Sequence, residues 1–495
     1  MKHLMRVFRG ALVLLPVIVC NADVSHDRAV VQRHFSDPFV ASMWYPLAKQ
    51  GDEGAQAALL EYAQQRNQAH WLKRMGALGQ HSAYYHLAMQ QKNLNEARRW
   101  LRKGAMAGDA ESQYELALIT DYGVRKVHWL EQAAQQNFIP AQVALYQWLQ
   151  LQGDDEAAFA WLQRVAPLHG NSALLLGDQL WQRGDSAAAI DAFEKATALG
   201  NQQAVERLNV IRTYWQRPQD TRVYGASLAN CTLRVQPVTA SLQGMRRLLT
   251  LLQTVEQDAR LSALPMCFNA PLWVEHKDLP CTNRWQGAGR LGCRLGPLAE
   301  RFSASLDDHP FSHVMVMATQ GKANVQDGVM YLDLSDSYDV FVHELAHFAG
   351  FVDEYPLGNA LAQVHCKASL APNVRVFQPV DQESGDDTVD VPEGWFKART
   401  CNNHPAQAYK PSAKMTFMEF HDTAHIPQVY LELWAQRLSQ RHFLQTAYQN
   451  LARASSTPAL VNFWWQQEAN YVRQPSWSLP AVEQAPSEQV APAGR

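Results

Sequence analysis

The chain has 495 residues, 47% of them hydrophobic and 18% charged. That is apolar material for about three domains of roughly 150 residues each, so wholesale disorder is excluded. A balance of 44 Lys+Arg against 47 Asp+Glu argues against a nucleic-acid binder working through a basic surface, and 26 Gly with 24 Pro argue against a fibrous chain.

The first element reads as an address. Lys2, Arg6 and Arg9 precede a short apolar run at 11–19, ALVLLPVIV. Such a run is too short to span a bilayer comfortably. The pattern predicts a secretory signal peptide over 1–22, cut after about Ala22, and a periplasmic or secreted protein. A retained anchor is the rival reading. A lipoprotein cut before Cys20 fits less well, because Val19 is bulky. No later stretch is long and apolar enough for a membrane helix. Beyond Cys20, six cysteines remain, all from residue 231 onward: Cys231, Cys267, Cys281, Cys293, Cys366 and Cys401. An even number in an oxidising compartment points to disulfides. Joining Cys366 to Cys401 would bracket a polar insertion. The other pairings stay open. A structural zinc is the alternative, but no CxxC pair supports it.

Next come repeats. Trp71-Leu72, Trp100-Leu101, Trp129-Leu130 and Trp161-Leu162 recur at spacings of 29, 29 and 32. Each opens a unit with apolar residues at helical spacing. Gly79, Gly108 and Asn137 stand eight residues after their tryptophans, where a helix can end in a left-handed turn. A second, Ala-rich helix follows. Units of this size stack into a solenoid, because one helix pair cannot bury its apolar face alone. The tryptophans are expected to pack helix against helix. The pattern W-L/Y-x-x-A-x-x-x-G-x-x-x-A resembles the Sel-like branch of tetratricopeptide repeats over about 35–215. The resemblance implies a surface that binds a protein partner.

Polar residues at 216–225, QRPQDTRVYG, mark a domain boundary. Beyond it, 234–240, 313–318 and 328–334 read as strands. Ser241 caps a helix running to about Arg260. A Pro-rich, polar tail at 473–495 reads as disordered.

The chemistry-bearing segment is 335–355, SDSYDVFVHELAHFAGFVDEY. Ser335 and Asp336 are the expected helix caps, and Asp339 suits the first turn. Val340, Phe341, Leu345, Ala346 and Phe348 make a buried helix body. His343 and His347, at i and i+4, share one face and can reach a single metal ion. Glu344 lies one residue along, where it can exchange a proton with water. Gly350 can reverse the chain so that Asp353 returns to the two histidines.

The string His343-Glu344-x-x-His347-x-x-Gly350-x-x-Asp353 resembles the metzincin class of zinc endopeptidases, particularly secreted bacterial ones. The resemblance covers about 225–450 and implies an α+β metallopeptidase domain. His343, His347 and Asp353 would ligate Zn2+ and Glu344 would be the catalytic base. It also implies a Met-containing turn under the metal, with Met418 the candidate and Met415 the alternate. Phe420 stands where some members carry Tyr, so that role would fall to Tyr355 or Tyr409. The class aligns a peptide along an edge strand, and 328–334 is in the expected place.

Glu354 is the rival third ligand. His365, His404, His421 and His425 are expected at the surface or behind the ligands. No GxSxG supports a serine hydrolase. The chain thus reads as an α-solenoid followed by an exported zinc metallopeptidase acting on a protein or peptide. A non-catalytic periplasmic adaptor with a structural metal site, and a metal hydrolase acting on peptidoglycan peptides, are the alternatives.

Overall fold

The computed structural model describes residues 38–474, apart from 122, 217–221, 226–230, 286–288, 379–390 and 422. The expected signal peptide lies outside the described residues, as does the tail from 475. The chain forms two compact units that divide between Val205 and Glu206.

The described residues of the first unit form a succession of helices. Its helices are α1 (Pro38–Lys49), α2 (Glu53–Gln65), α3 (Ala69–Ala77), α4 (Ser82–Met89), α5 (Leu94–Met106), α6 (Ala110–Leu118), α7 (Val124–Gln135), α8 (Ile139–Gln152), α9 (Asp155–Val165), α10 (Gly170–Gln182), α11 (Ser186–Ala198) and α12 (Gln202–Val210), the last crossing the division. Short polar caps start them: Asp52, Asn93, Asp109, Asp154 and Asp185 each accept a hydrogen bond from a first-turn amide. Gly79, Gly108 and Asn137 take positive φ of 95°, 91° and 62°, as their spacing predicts. Trp100 packs against two neighbouring core clusters, and so do Trp129 and Trp161. The tryptophans therefore join one repeat to the next.

The expected boundary at 216–225 falls inside the second unit. Residues 211–216 continue as a π-helix, with Ile211 buried and Trp215 against Trp273 at 5.3 Å.

The second unit is a mixed α/β domain. Its first strands and helices are β1 (Val223–Gly225), β2 (Leu233–Thr239), α13 (Leu242–Gln257, capped by Ser241), β3 (Met266–Asn269), β4 (Leu272–Trp273), β5 (Cys281–Thr282), β6 (Gly292–Cys293) and α14 (Gly296–Ser305). Then come β7 (His313–Met317), β8 (Asn324–Gln326), β9 (Val329–Leu332), α15 (Tyr338–His347) and α16 (Asn359–His365). It ends with β10 (Arg375–Phe377), β11 (Phe396–Ala398), β12 (Gln407–Lys410), α17 (Gln428–Leu438), α18 (Ala447–Ala454) and α19 (Pro458–Arg473). The main sheet runs β1-β3-β2-β7-β9-β8, with β4 also on β2. Its centre is parallel and both outer strands are antiparallel. Every residue of β3, β7 and β9 is buried, as a parallel centre covered on both faces requires. The domain extends past the expected 450, because α19 puts Trp464 and Tyr471 into this core.

Two corrections concern the sheet and the helix. Residues 328–334 do not form an edge: β9 lies between β7 and β8. Asp327 and Gly328, with φ of 45° and 74°, make a two-residue hairpin turn that folds β8 back on β9. The cap of α15 is Ser337, which accepts from the Val340 amide. Ser335 and Asp336 are held instead by the Asp333 carboxylate, which accepts from both their amides.

Cys366 and Cys401 are bonded, as expected, and the open pairings resolve as Cys231–Cys267 and Cys281–Cys293. Three disulfides fit an oxidising, extracytoplasmic compartment. Among the described residues, no helix is long and apolar enough to cross a membrane.

Candidate metal centre

Helix α15 packs against β8 and β9 with Phe341, Leu345 and Ala346 in the core. That fixes its opposite face, from which His343 and His347 project together. Their rings stand nearly perpendicular with centroids 4.8 Å apart, and the two Nε2 atoms are 3.2 Å apart. The helix ends at His347, and a turn follows to Gly350, whose φ of 73° suits glycine and whose amide donates to His347 O. The reversed chain brings Asp353 Oδ1 to 3.1 Å from His343 Nε2 and 3.3 Å from His347 Nε2. Among the described residues, His343, His347 and Asp353 are the group able to hold a metal ion.

Backbone carbonyls set the tautomers. His343 Nδ1 lies 2.8 Å from Phe417 O, and His347 Nδ1 lies 2.8 Å from Phe351 O. A carbonyl can only accept, so both Nδ1 atoms donate, and a neutral imidazole then presents its lone pair at Nε2. Three acceptors thus face one point. Asp353 Oδ1 is buried and has no well-aligned hydrogen bond. Converging lone pairs repel unless a cation or a proton lies between them. Burial disfavours a charge on His347, but the Asp353 carboxylate outweighs it and raises the pKa to about 9. Burial also works against the Asp353 charge, and the two imidazoles outweigh it, holding that carboxyl far below its usual range. The donors and their orientation fit a small divalent cation, with ring orientation fixed from behind.

Glu344 is buried beside the cluster, and its Oε2 has no hydrogen-bond partner. Burial raises its pKa; the imidazoles oppose the rise, Asp353 adds to it, and Arg290 opposes it. The Tyr355 hydroxyl donates to Asp353, and burial together with that carboxylate raises its pKa.

Glu354 is not a ligand. It is fully buried and faces away, accepting from Tyr430 Oη at 2.6 Å, Asn373 Nδ2 at 2.9 Å and Thr416 Oγ1 at 2.5 Å. Lys410 Nζ stands 3.4 Å away. The Glu354 amide donates to Met418 O. Glu354 therefore pins the 416–419 turn, which carries the Phe417 carbonyl that orients His343. Nothing in its local sequence signals this role, because its partners are 19 to 76 residues distant.

Met418 is buried in that turn, whereas Met415 is exposed. Phe420 is half exposed and its ring meets His421. Tyr409 donates to Gln407 Oε1 on β12. His421 comes within 6.4 Å of the His343 ring. His365 is close enough to feel Asp353 and His347, and burial lowers its pKa. His404 Nδ1 accepts from the Ala406 amide, and His425 is exposed. None of these four joins the ligand group.

The fold and site together define a helical-repeat protein joined to a mixed α/β domain that carries a His-His-Asp cluster. No protein family's sequence profile matches the chain. No curated protein matches it either. Among solved structures, a Sel1 repeat protein from Oxalobacter formigenes is similar at 21% identity over 34% of this chain and 58% of its own, with a TM-score of 0.29. A protective antigen of uropathogenic Escherichia coli displaying an SLR fold is similar at 23% identity over 35% of this chain and 44% of its own, also with a TM-score of 0.29. The matches thus span about half the length of those two proteins.

Proposed function

We propose that the chain is an exported zinc metallopeptidase whose second unit hydrolyses peptide bonds and whose repeats hold a protein substrate or partner. The observation that carries this reading is the meeting of His343 Nε2, His347 Nε2 and Asp353 Oδ1 beside the unpartnered Glu344 Oε2. Two imidazoles and a carboxylate suit zinc with one position open to chemistry. When bound there, zinc would supply Lewis acidity toward water and a peptide carbonyl.

The chain's own residues do the rest. Glu344 accepts the proton of the attacking water at Oε2 and returns it to the leaving amine. Its raised pKa makes that return easier than for an ordinary carboxylate. Phe417 O and Phe351 O hold the imidazoles in the tautomer that offers Nε2. Tyr355 keeps its proton and fixes the Asp353 carboxylate. The resemblance to metzincins supports the same assignment, with Met418 in the turn beneath the site. A substrate strand would pair with β8, the outer strand of the sheet.

A second reading, a periplasmic adaptor, draws on the repeats, where Met106, Val124 and Leu151 are strongly exposed. Glu344 separates the two. Protein purified without chelator should hold about one zinc per chain and cleave an unstructured peptide. Glu344→Gln should keep the zinc and lower turnover at least about a hundredfold. His347→Ala should lose the metal. Undiminished turnover in Glu344→Gln would overturn the catalytic assignment, and wild type without zinc would overturn the site.

A further inference from the structure

Near the start of β8, the outer strand that packs on α15, stands the β5–β6 hairpin. It is closed by Cys281–Cys293, whose residues are directly opposed across the two strands. The hairpin loop returns through Arg290, which bridges to Lys322, two residues before β8. Three backbone hydrogen bonds fix this junction: Trp285 N to Arg290 O, Leu291 N to Lys322 O, and Lys322 N to Gly289 O. Arg290 therefore has an ordered backbone between a cross-linked hairpin and the outer strand of the main sheet.

The side chain of Lys322 is exposed and that of Arg290 is half-buried, and among the described residues neither makes an ion pair or a hydrogen bond through its charged end. A nearby carboxylate, Asp333, is already occupied by Gly321 N, Ser335 N and Oγ, and Asp336 N. Arg290 is close enough to the reacting groups for its charge to be felt by both Glu344 and the Tyr355 hydroxyl. Yet Glu344 Oε2 has no hydrogen bond, so the guanidinium is not consumed in neutralising the base. Its planar fork is left free to hold an incoming group of opposite charge.

We infer that Arg290 is a specificity-determining residue that binds a carboxylate of the substrate peptide next to the scissile bond. This rests on the peptidase reading above. A guanidinium matches a carboxylate with two parallel hydrogen bonds, and Lys322 beside it adds to the local positive field. The carboxylate is either an acidic side chain or the free C-terminus of the peptide. Both present the same two oxygens to Arg290.

The test uses the full mature chain with zinc and a set of internally quenched peptides. They share one core, carry Glu, Gln or Lys beside the cleaved bond, and end in a free or amidated C-terminus. Wild type should favour the carboxylate-bearing member of a pair by at least about tenfold in kcat/KM, the scale of a charge-assisted hydrogen bond. A Glu-over-Gln preference among amidated peptides identifies the side chain as the source. A free-over-amidated preference identifies the terminus. In Arg290→Gln that ratio should collapse toward one at unchanged zinc content, and Arg290→Lys should restore part of it. Binding gives an independent readout: the Glu344→Gln protein should bind the preferred labelled peptide in a salt-sensitive way, and adding Arg290→Gln should abolish the charge preference. Equal handling of all members by wild type, or a preference that survives Arg290→Gln, would overturn the inference while leaving the peptidase intact. Failure of wild type to cleave any peptide would overturn the peptidase reading and the inference with it.

Discussion

In the repeats, neighbours in sequence are neighbours in space, and in the second unit they are not. Gln80 bonds to Gln56, Gln136 to Gln113 and Asn201 to Asn171, each about one repeat away. In the second unit, Thr239 reaches Met317 across 78 residues, Glu354 reaches Tyr430 across 76, and Tyr471 reaches Thr232 across 239. A solenoid is stabilised repeat by repeat, so damage to it stays local. A sheet built from distant strands gains little until its long loops have closed, so damage to one hub spreads. A single site can then be positioned by residues from many parts of the chain, which suits chemistry better than a stack of alike units does.

The largest test of that difference is Glu354→Ala. It removes the acceptor shared by Asn373, Thr416 and Tyr430, and it leaves Lys410, with its amine near Glu419, without its second carboxylate. Breaking a buried charged network costs about 3–5 kcal/mol. Thermal unfolding should show the second unit destabilised by that amount, while hydrogen exchange over 53–198 stays as in wild type. Zinc affinity should fall as well, because the Phe417 carbonyl is no longer held against His343. A loss of protection spreading into the repeats would show that the two units do not act independently.

The next test sharpens the contrast by pH. In the metal-free protein the His347 pKa is about 9, above the ordinary 6.5. A raised folded-state pKa stabilises fully below about 6.5, and that contribution is lost as pH rises through 9. Zinc competes with this proton, so its affinity should run the other way. It should rise about tenfold per pH unit from 7 toward 9, roughly a hundredfold in all, and level off beyond. Titration calorimetry in buffers of different ionisation enthalpy should register the proton released at pH 7. The unfolding of the repeats should show neither slope. A flat zinc affinity between pH 7 and 9 would mean that His347 is already neutral in the metal-free site.

The same contrast explains what was legible in the sequence. Trp71, Trp100, Trp129 and Trp161 announced the repeats because the packing they serve recurs within some thirty residues. His343, Glu344, His347, Gly350 and Asp353 were legible because one helix and its terminating turn bring them together. Cys366 with Cys401 was found because few cysteines bracket that insertion. The role of Glu354 was hidden, since its buried partners come from four distant places. The carbonyls of Phe351 and Phe417 carry no side-chain signal at all. The placement of β9 inside the sheet was readable in principle: Asp327-Gly328 is a two-residue hairpin signal, and it turns the preceding residues into the outer strand.

The smallest effect is expected at Gly104, in the last turn of α5. Alanine there would gain up to about 1 kcal/mol of helix propensity. Its Cβ, however, would stand 2.2 Å from Ser112 Oγ and 2.8 Å from Ser112 Cβ, on the facing helix α6, and 3.1 Å from Tyr84 Cβ on α4. Ser112 is buried, so its side chain cannot swing into solvent without moving α6. Overpacking of this kind costs about 1–3 kcal/mol, so the net change for Gly104→Ala should be a loss of about 1 kcal/mol. Because the strain sits between α4, α5 and α6, amide exchange should quicken there and fade within one repeat on either side. Zinc content and peptide turnover should not change. If the second unit loosened as much as the repeats did, the solenoid would not be the nearest-neighbour stack that its spacing implies. A stabilised variant would mean that α5 and α6 can separate slightly at little cost, leaving the propensity gain as the larger of the two opposing effects.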